Sequence, residues 1–192
     1  MTMNRILIVG AGGYGRSVAD ALLCTGTQTL AGFVDDRWPQ LQQVWTVQVL
    51  GTLTDLPRLR GEADAVVIAI GNNAGRRHAF LQALAAGFAP ATVVHPSATV
   101  SPRAFIGAGV TVMANAVIGC DAHIGEGVIV NAGAIVDHDA KLSAFSHVGV
   151  GACLAGAAEL GDEAWLQEGC TLGPGQKVPA GVTVLAPRPQ WV

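Results

Sequence analysis

The stretch Val112-Met113-Ala114-Asn115-Ala116-Val117-Ile118-Gly119-Cys120-Asp121-Ala122-His123-Ile124 decides the architecture of this chain. Aliphatic residues stand at Val112, Ile118 and Ile124, and a small residue follows four places after the first two, at Ala116 and Ala122. Stepping by six in both directions, every position from Val94 to Val184 is Ile, Leu or Val. The column that starts at Ala98 is small or short throughout, broken only by Gln176 and Arg188. A helix repeats about every 3.6 residues and a flat strand about every 2, so a period of six fits neither alone. It fits a short strand and a turn, coiled so that each repeat stacks on an earlier one. The aliphatic side chain fills the interior and the small one lets the chain round a corner. Glycines recur between them (Gly107, Gly109, Gly119, Gly125, Gly127, Gly133), where corners are expected to need unusual backbone angles. The period therefore predicts a parallel β-helix, in which nearly every backbone group pairs with the coil above or below. Five coils of three repeats, about 4.8 Å apart, give a prism roughly 25 Å tall.

The composition narrows the functional class. The 192 residues are 51% hydrophobic with a formal net charge of −3, which excludes a disordered chain. Lys and Arg number 11 against 14 Asp and Glu, which excludes a basic nucleic-acid binder. No window approaches about 18 uninterrupted apolar residues, so no membrane span is expected. Ile6-Leu7-Ile8-Val9 follows the N-terminus directly and has the length of a strand, so no signal peptide is expected. Cys24, Cys120, Cys153 and Cys170 show no C-x-x-C spacing, and reduced thiols in the cytoplasm are the expectation.

The front of the chain reads as a small α/β unit. The apolar run Ile6–Val9 is a buried parallel strand, and Gly10-Ala11-Gly12-Gly13-Tyr14-Gly15 follows as a G-x-G-x-x-G. Arg16 to Leu23 reads as a helix closed by Gly26, and a second strand, Leu30 to Val34, ends in Asp35-Asp36. The glycines permit close backbone approach to phosphate at a helix N-terminus, and an acid after the second strand suits a ribose hydroxyl. Thr46–Leu50 reads as a short strand. A further strand, Ala65–Ile70, runs into Gly71-Asn72-Asn73 and a helix from about Gly75 to Ala86. Residues 1–90 are too few for a complete two-half dinucleotide fold and hold one mononucleotide-sized half. That disfavours NAD and favours a nucleotide-sugar. Residues 91–192 form the coil.

The coil resembles the hexapeptide-repeat acyltransferases, whose repeat reads aliphatic-Gly-x-x-small-x. That resemblance implies a left-handed β-helix, a homotrimer, and acetyl-CoA bound between neighbouring prisms. Taken in order, the glycine loop, Phe33-Val34-Asp35-Asp36, Ile68–Asn73, His95-Pro96-Ser97-Ala98, Asp137-His138-Asp139 and Phe145-Ser146-His147-Val148 resemble the bacterial sugar O/N-acetyltransferases of the NeuD/PglD type. In that family the front domain holds a UDP-sugar and the coil holds acetyl-CoA. The implied reaction is acetyl transfer to the amino group of a nucleotide-linked amino sugar.

The resemblance also implies roles. His138 becomes the general base and Asp139 its orienting acid. Adjacent residues on a flat strand face opposite ways, so this pairing requires a corner. His147 contacts the thioester carbonyl, Gly156 the pantetheine arm, and Asn131 lies near the base. Gly10, Gly12, Gly13 and Gly15, with Tyr14 among them, cradle the pyrophosphate. Asp35 and Asp36 hold the nucleoside, and Gly71 and Asn72 border the same cleft. Read from the residues alone, His138 is also a surface histidine flanked by solubilising acids, Gly156 a corner glycine, and Asn131 an exposed polar residue. Two departures stand out. Tyr14 occupies a place where bacillosamine-branch relatives carry histidine, and Leu185-Ala186-Pro187-Arg188-Pro189 replaces the usual ending. Three other readings remain open: O-acetylation of a sialic acid, a nucleotide-sugar-binding scaffold without turnover, and a zinc lyase on the same coil. The last needs three convergent histidines, and the spacing of His123, His138 and His147 does not match, so no metal is expected.

Overall fold

The computed structural model describes residues 4–186. By compactness the chain divides into two units, Met1–Pro96 and Ser97–Val192, while the strand Val93–Val94 already belongs to one of the coil's sheets.

In the front unit, β1 (Asn4–Val9) lies between β2 (Gln28–Val34) and β5 (Ala65–Ile68), and β6 (Ala89–Pro90) adds a fourth parallel strand outside β5. A small antiparallel hairpin, β3 (Gln43–Val44) and β4 (Val47–Gln48), and a 3-10 helix, Leu53–Gly61, intervene between β2 and β5. Ile6, Leu7 and Ile8 are fully buried, as a central parallel strand with both faces covered requires. Each such aliphatic side chain contributes about 1.5–3 kcal/mol of burial. Helix α1 (Gly13–Thr25) turns Val18, Ala19, Ala21 and Leu22 inward and stops at Gly26, whose φ of 64° is the left-handed conformation glycine reaches at no steric cost. Helix α2 (Asn73–Ala85) starts where the Asn72 side chain accepts from the Gly75 N–H at 2.8 Å. Because β2 and β5 flank β1 on opposite sides, the C-terminal edges of these strands open a crevice, the usual place for a ligand in such sheets.

The second unit is a coil of two-residue strands distributed over three parallel sheets. Every third strand falls on the same sheet, so partners are one coil apart: Val100 with Ile118, Ile118 with Val136, Val136 with Leu154. This is the left-handed β-helix of hexapeptide-repeat proteins. The aliphatic and small columns share the interior, where Ile124, Ala134, Val136, Ala140, Val148, Ala152 and Leu166 are completely buried. Gln176, the break in the small column, is exposed, and its Oε1 accepts from the Gly173 N–H at 2.7 Å. Arg188 and Pro187–Pro189 of the altered ending lie outside the described residues.

The structure corrects the reading of the recurrent glycines, which serve two purposes. One column is left-handed whatever its residue: Asn115, Asp121, Gly127, Gly133, Asp139 and Phe145 follow at intervals of six with φ between 55° and 65°. There glycine relieves strain. Gly107, Gly119, Gly125, Gly149 and Gly161 have no such angle. A Cβ on any of them would meet backbone of the next coil within 2.9 Å. There glycine permits stacking. Among the described residues no helix is long and apolar enough to cross a membrane.

Candidate active site

After the strand Ile135–Val136 the chain turns, and His138 and Asp139 occupy the two corner positions. Asp139 takes the left-handed one, φ 58°, which Asp tolerates better than most residues. That corner swings its carboxylate back onto the imidazole: Asp139 Oδ2 lies 2.8 Å from His138 Nδ1. A carboxylate can only accept, so in the neutral ring Nδ1 carries the proton and Nε2 keeps its lone pair. Asp137 frames the other side. Its Oδ1 accepts from the His138 N–H at 2.7 Å, and its Oδ2 lies 4.0 Å from Nε2. The Asp139 hydrogen bond, then the Asp137 charge, raise the His138 pKa above the ordinary histidine value. The side chain is 56% exposed. Gly156 stands one coil further along the same edge, and a Cβ there would meet His138 Nε2 at 2.5 Å. Its missing side chain makes the room in which the imidazole lies.

A second group forms around His147, which is only 7% exposed. Its ring stacks on Trp165, with centroids 5.4 Å apart and planes 7° from parallel. Asn131 Oδ1 accepts from the Ala132 N–H at 2.8 Å, which fixes the carboxamide and sets Nδ2 3.5 Å from His147 Nε2. The Asn131 side chain thus bridges the Ala132 backbone and His147. Phe145 is a buried left-handed corner residue whose ring covers Gly127.

In the front unit a cleft of about 180 Å³ is lined by Val9, Gly10, Val34, Asp35, Asp36, Leu53 and Ile70. The glycines of the loop divide by cause. A Cβ on Gly10 would meet Ala69 O at 2.6 Å, and one on Gly15 would run into Gly10 O. The fold requires both. At Gly12 and Gly13 an added Cβ meets nothing within 4 Å. Gly12 caps α1 without a side-chain hydrogen bond, which leaves the first-turn N–H groups suited to an anion. Tyr14 sits in that first turn.

Asp35 is held within the chain. Its carboxylate accepts from the Ala11 N–H at 2.8 Å and from Arg37 through the backbone, Nε and Nη2 at 3.0, 2.7 and 2.9 Å. The Arg37 side chain, against the opposing effect of burial, holds its pKa down at about 2. Asp36 is exposed, with Oδ1 accepting from the Leu53 N–H at 3.0 Å. Asn72 caps α2, and Gly71 lends its carbonyl to Arg76 at 3.1 Å. Sequence reasoning passed over Asp137, Arg37 and Arg76. The first two stood beside chosen residues. Arg76 carries no mark of burial in its local sequence, yet it is buried at 1% exposure.

A small crevice in a half-Rossmann unit and an exposed His–Asp pair on a hexapeptide coil define the class of the hexapeptide-repeat acyltransferases. Residues 5–83 match the model of the PglD N-terminal domain, and residues 103–138 that of the bacterial transferase hexapeptide (six repeats). The UDP-N-acetylbacillosamine N-acetyltransferase of Bacillus subtilis (strain 168) is 34% identical over 115 residues, 58% of this chain. The match spans about half of that relative's length, 52%. The GDP-perosamine N-acetyl transferase of Caulobacter crescentus, solved as a histidine-to-alanine variant with CoA and GDP-perosamine, is 35% identical with a TM-score of 0.81. That match covers 96% of this chain and 90% of the other. The acetyltransferase domain of PglB from Neisseria gonorrhoeae FA1090, solved with acetyl coenzyme A, is 36% identical, also with a TM-score of 0.81, and covers 95% of this chain and 96% of that one. The chain belongs to the PglD-type hexapeptide-repeat sugar N-acetyltransferases.

Proposed function

We propose that this protein transfers the acetyl group of acetyl-CoA to the amino group of a nucleoside-diphosphate amino sugar, with UDP as the first nucleotide to test. The observation that carries the reading is the His138–Asp139 pair, 2.8 Å apart at an exposed corner, with Nε2 over the open backbone of Gly156. The thioester is already activated, so the amine attacks its carbonyl carbon directly and no acyl-enzyme forms. As the C–N bond closes, the nitrogen surrenders a proton to His138 Nε2. Asp139 and Asp137 stabilise the imidazolium so formed. The tetrahedral intermediate then expels the CoA sulfur, which takes that proton from His138 and leaves as the thiol. Asn131 and His147 hold the acyl end of the donor, and Gly156 leaves its pantetheine arm a path beside the base.

At the front, the diphosphate sits on the first-turn N–H groups of α1, where Gly12 and Gly13 let it approach. Asp36, rather than the engaged Asp35, holds the nucleoside. The chain acts as a homotrimer, with the donor lodged between neighbouring coils. The experiment is thiol release from acetyl-CoA in the presence of UDP- and GDP-linked amino sugars. Turnover with an amino sugar, absent in His138→Ala while acetyl-CoA still binds, supports the reading. Failure of every amino-sugar acceptor sinks it.

A further inference from the structure

We infer that Arg76 is a positioning residue for nucleotide-sugar recognition, its buried guanidinium fixing the third wall of the front cleft; the inference rests on the function proposed above. Two walls are tied together by Asp35, which reaches from the end of β2 to the Ala11 N–H of the glycine loop at 2.8 Å. The third wall is the loop after β5, which contributes Ile70 to the cleft. Arg76, in the first turn of α2, folds back beneath it. Its Nη1 donates to the carbonyls of Ile70 and Gly71 at 3.0 and 3.1 Å, and its Nη2 to Asn73 Oδ1 at 2.8 Å.

Burying a guanidinium is costly, and the cost is tolerated where its donors meet well-placed acceptors. One planar fork across two successive carbonyls and a carboxamide is a geometry an ammonium cannot copy. The loop cannot shift without giving up these bonds. It is also in tight register with the phosphate loop, since a Cβ on Gly10 would lie 2.6 Å from Ala69 O and 3.4 Å from Ile70 Cγ1. Arg76 therefore acts on the ligand through the backbone of residues 70–71.

The test is calorimetric titration of the full chain with UDP, GDP and acetyl-CoA, for the wild type, Arg76→Lys and Arg76→Met, with a thermal melt of each. We expect Arg76→Met to bind the nucleotide at least about tenfold more weakly, and Arg76→Lys to recover part of that loss, because misplacing a recognition wall by a fraction of an ångström is enough for such a change. Acetyl-CoA affinity stays within about twofold. Should Arg76→Met not fold, the loss in Arg76→Lys decides. Unchanged nucleotide affinity in the variants, or equal weakening of both ligands, overturns the inference. A wild type that binds neither nucleotide removes the cleft assignment and this inference together. A wild type that binds nucleotide but transfers no acetyl group removes only the proposed reaction.

Discussion

The imidazole of His138 lies over the backbone of Gly156, one coil away on the same edge, at a distance that admits no Cβ between them. Gly156 has no left-handed φ, so its backbone accepts alanine. Gly156→Ala should therefore fold normally but push the ring aside. We expect kcat to fall at least about tenfold, with the melting midpoint moving by no more than about 2 °C. A steady-state assay beside a melt checks this, and an unchanged kcat would show that the ring needs no such room.

The pH profile follows from the two carboxylates around that ring. Asp139 first, and Asp137 second, raise the His138 pKa. A base works only when unprotonated. Hence kcat/KM should climb with pH through a value above about 6.5, the ordinary histidine pKa, and level off beyond it. Asp139→Asn removes the leading cause, so the rising limb should move to lower pH while the plateau falls. Asparagine suits the left-handed corner, which keeps backbone strain out of the comparison. A limb that stays in place would mean that Asp139 does not act on the imidazole.

Replacing His138 by alanine removes the proton acceptor itself. A loss of about 10²–10⁴ in kcat is expected, with acetyl-CoA affinity little changed. Single-turnover thiol release measures the first and equilibrium titration the second.

The glycine loop should separate into two kinds of variant. Gly15→Ala drives a methyl into Gly10 O, and destabilisation should dominate. Gly12→Ala meets nothing within 4 Å, so stability should hold while nucleotide affinity drops. Parallel melts with and without UDP would separate the two, because a bound ligand raises the midpoint by mass action.

Within the coil, Leu154 packs between Val136 and Leu172 and is 1% exposed. Leu154→Ala should cost about 2–5 kcal/mol through lost burial and the cavity left behind. Urea unfolding would read it.

Much of this was legible in the sequence, and for a physical reason. A coil with a fixed repeat writes its interior directly into the chain, so Val136 as core and His138 as outward-facing follow from counting. The need for a corner between His138 and Asp139 follows equally. The counting stops where cause lies across the coil. The glycine at 119 and the glycine at 127 look alike in one dimension, yet one avoids the backbone at His138 and the other serves a left-handed turn. The front unit hid more. Asp35 reads as a ligand-facing acid until Arg37 and Ala11 are seen to hold it. Arg76 reads as solvated because nothing in its neighbours announces that the guanidinium doubles back under the first turn of its own helix.

The eighteen-residue offset between partners such as Val136 and Leu154 makes sequence position a measure of height. A duplication or deletion of one such block, placed away from residues 131–165, would lengthen or shorten the prism while every remaining side chain kept its compass bearing. Inserting a single residue between Asp139 and Gly156 would instead break that offset, separating the ring from the bare glycine that accommodates it. The protein's length is thus open to drift in whole storeys, while its chemistry is pinned to one of them.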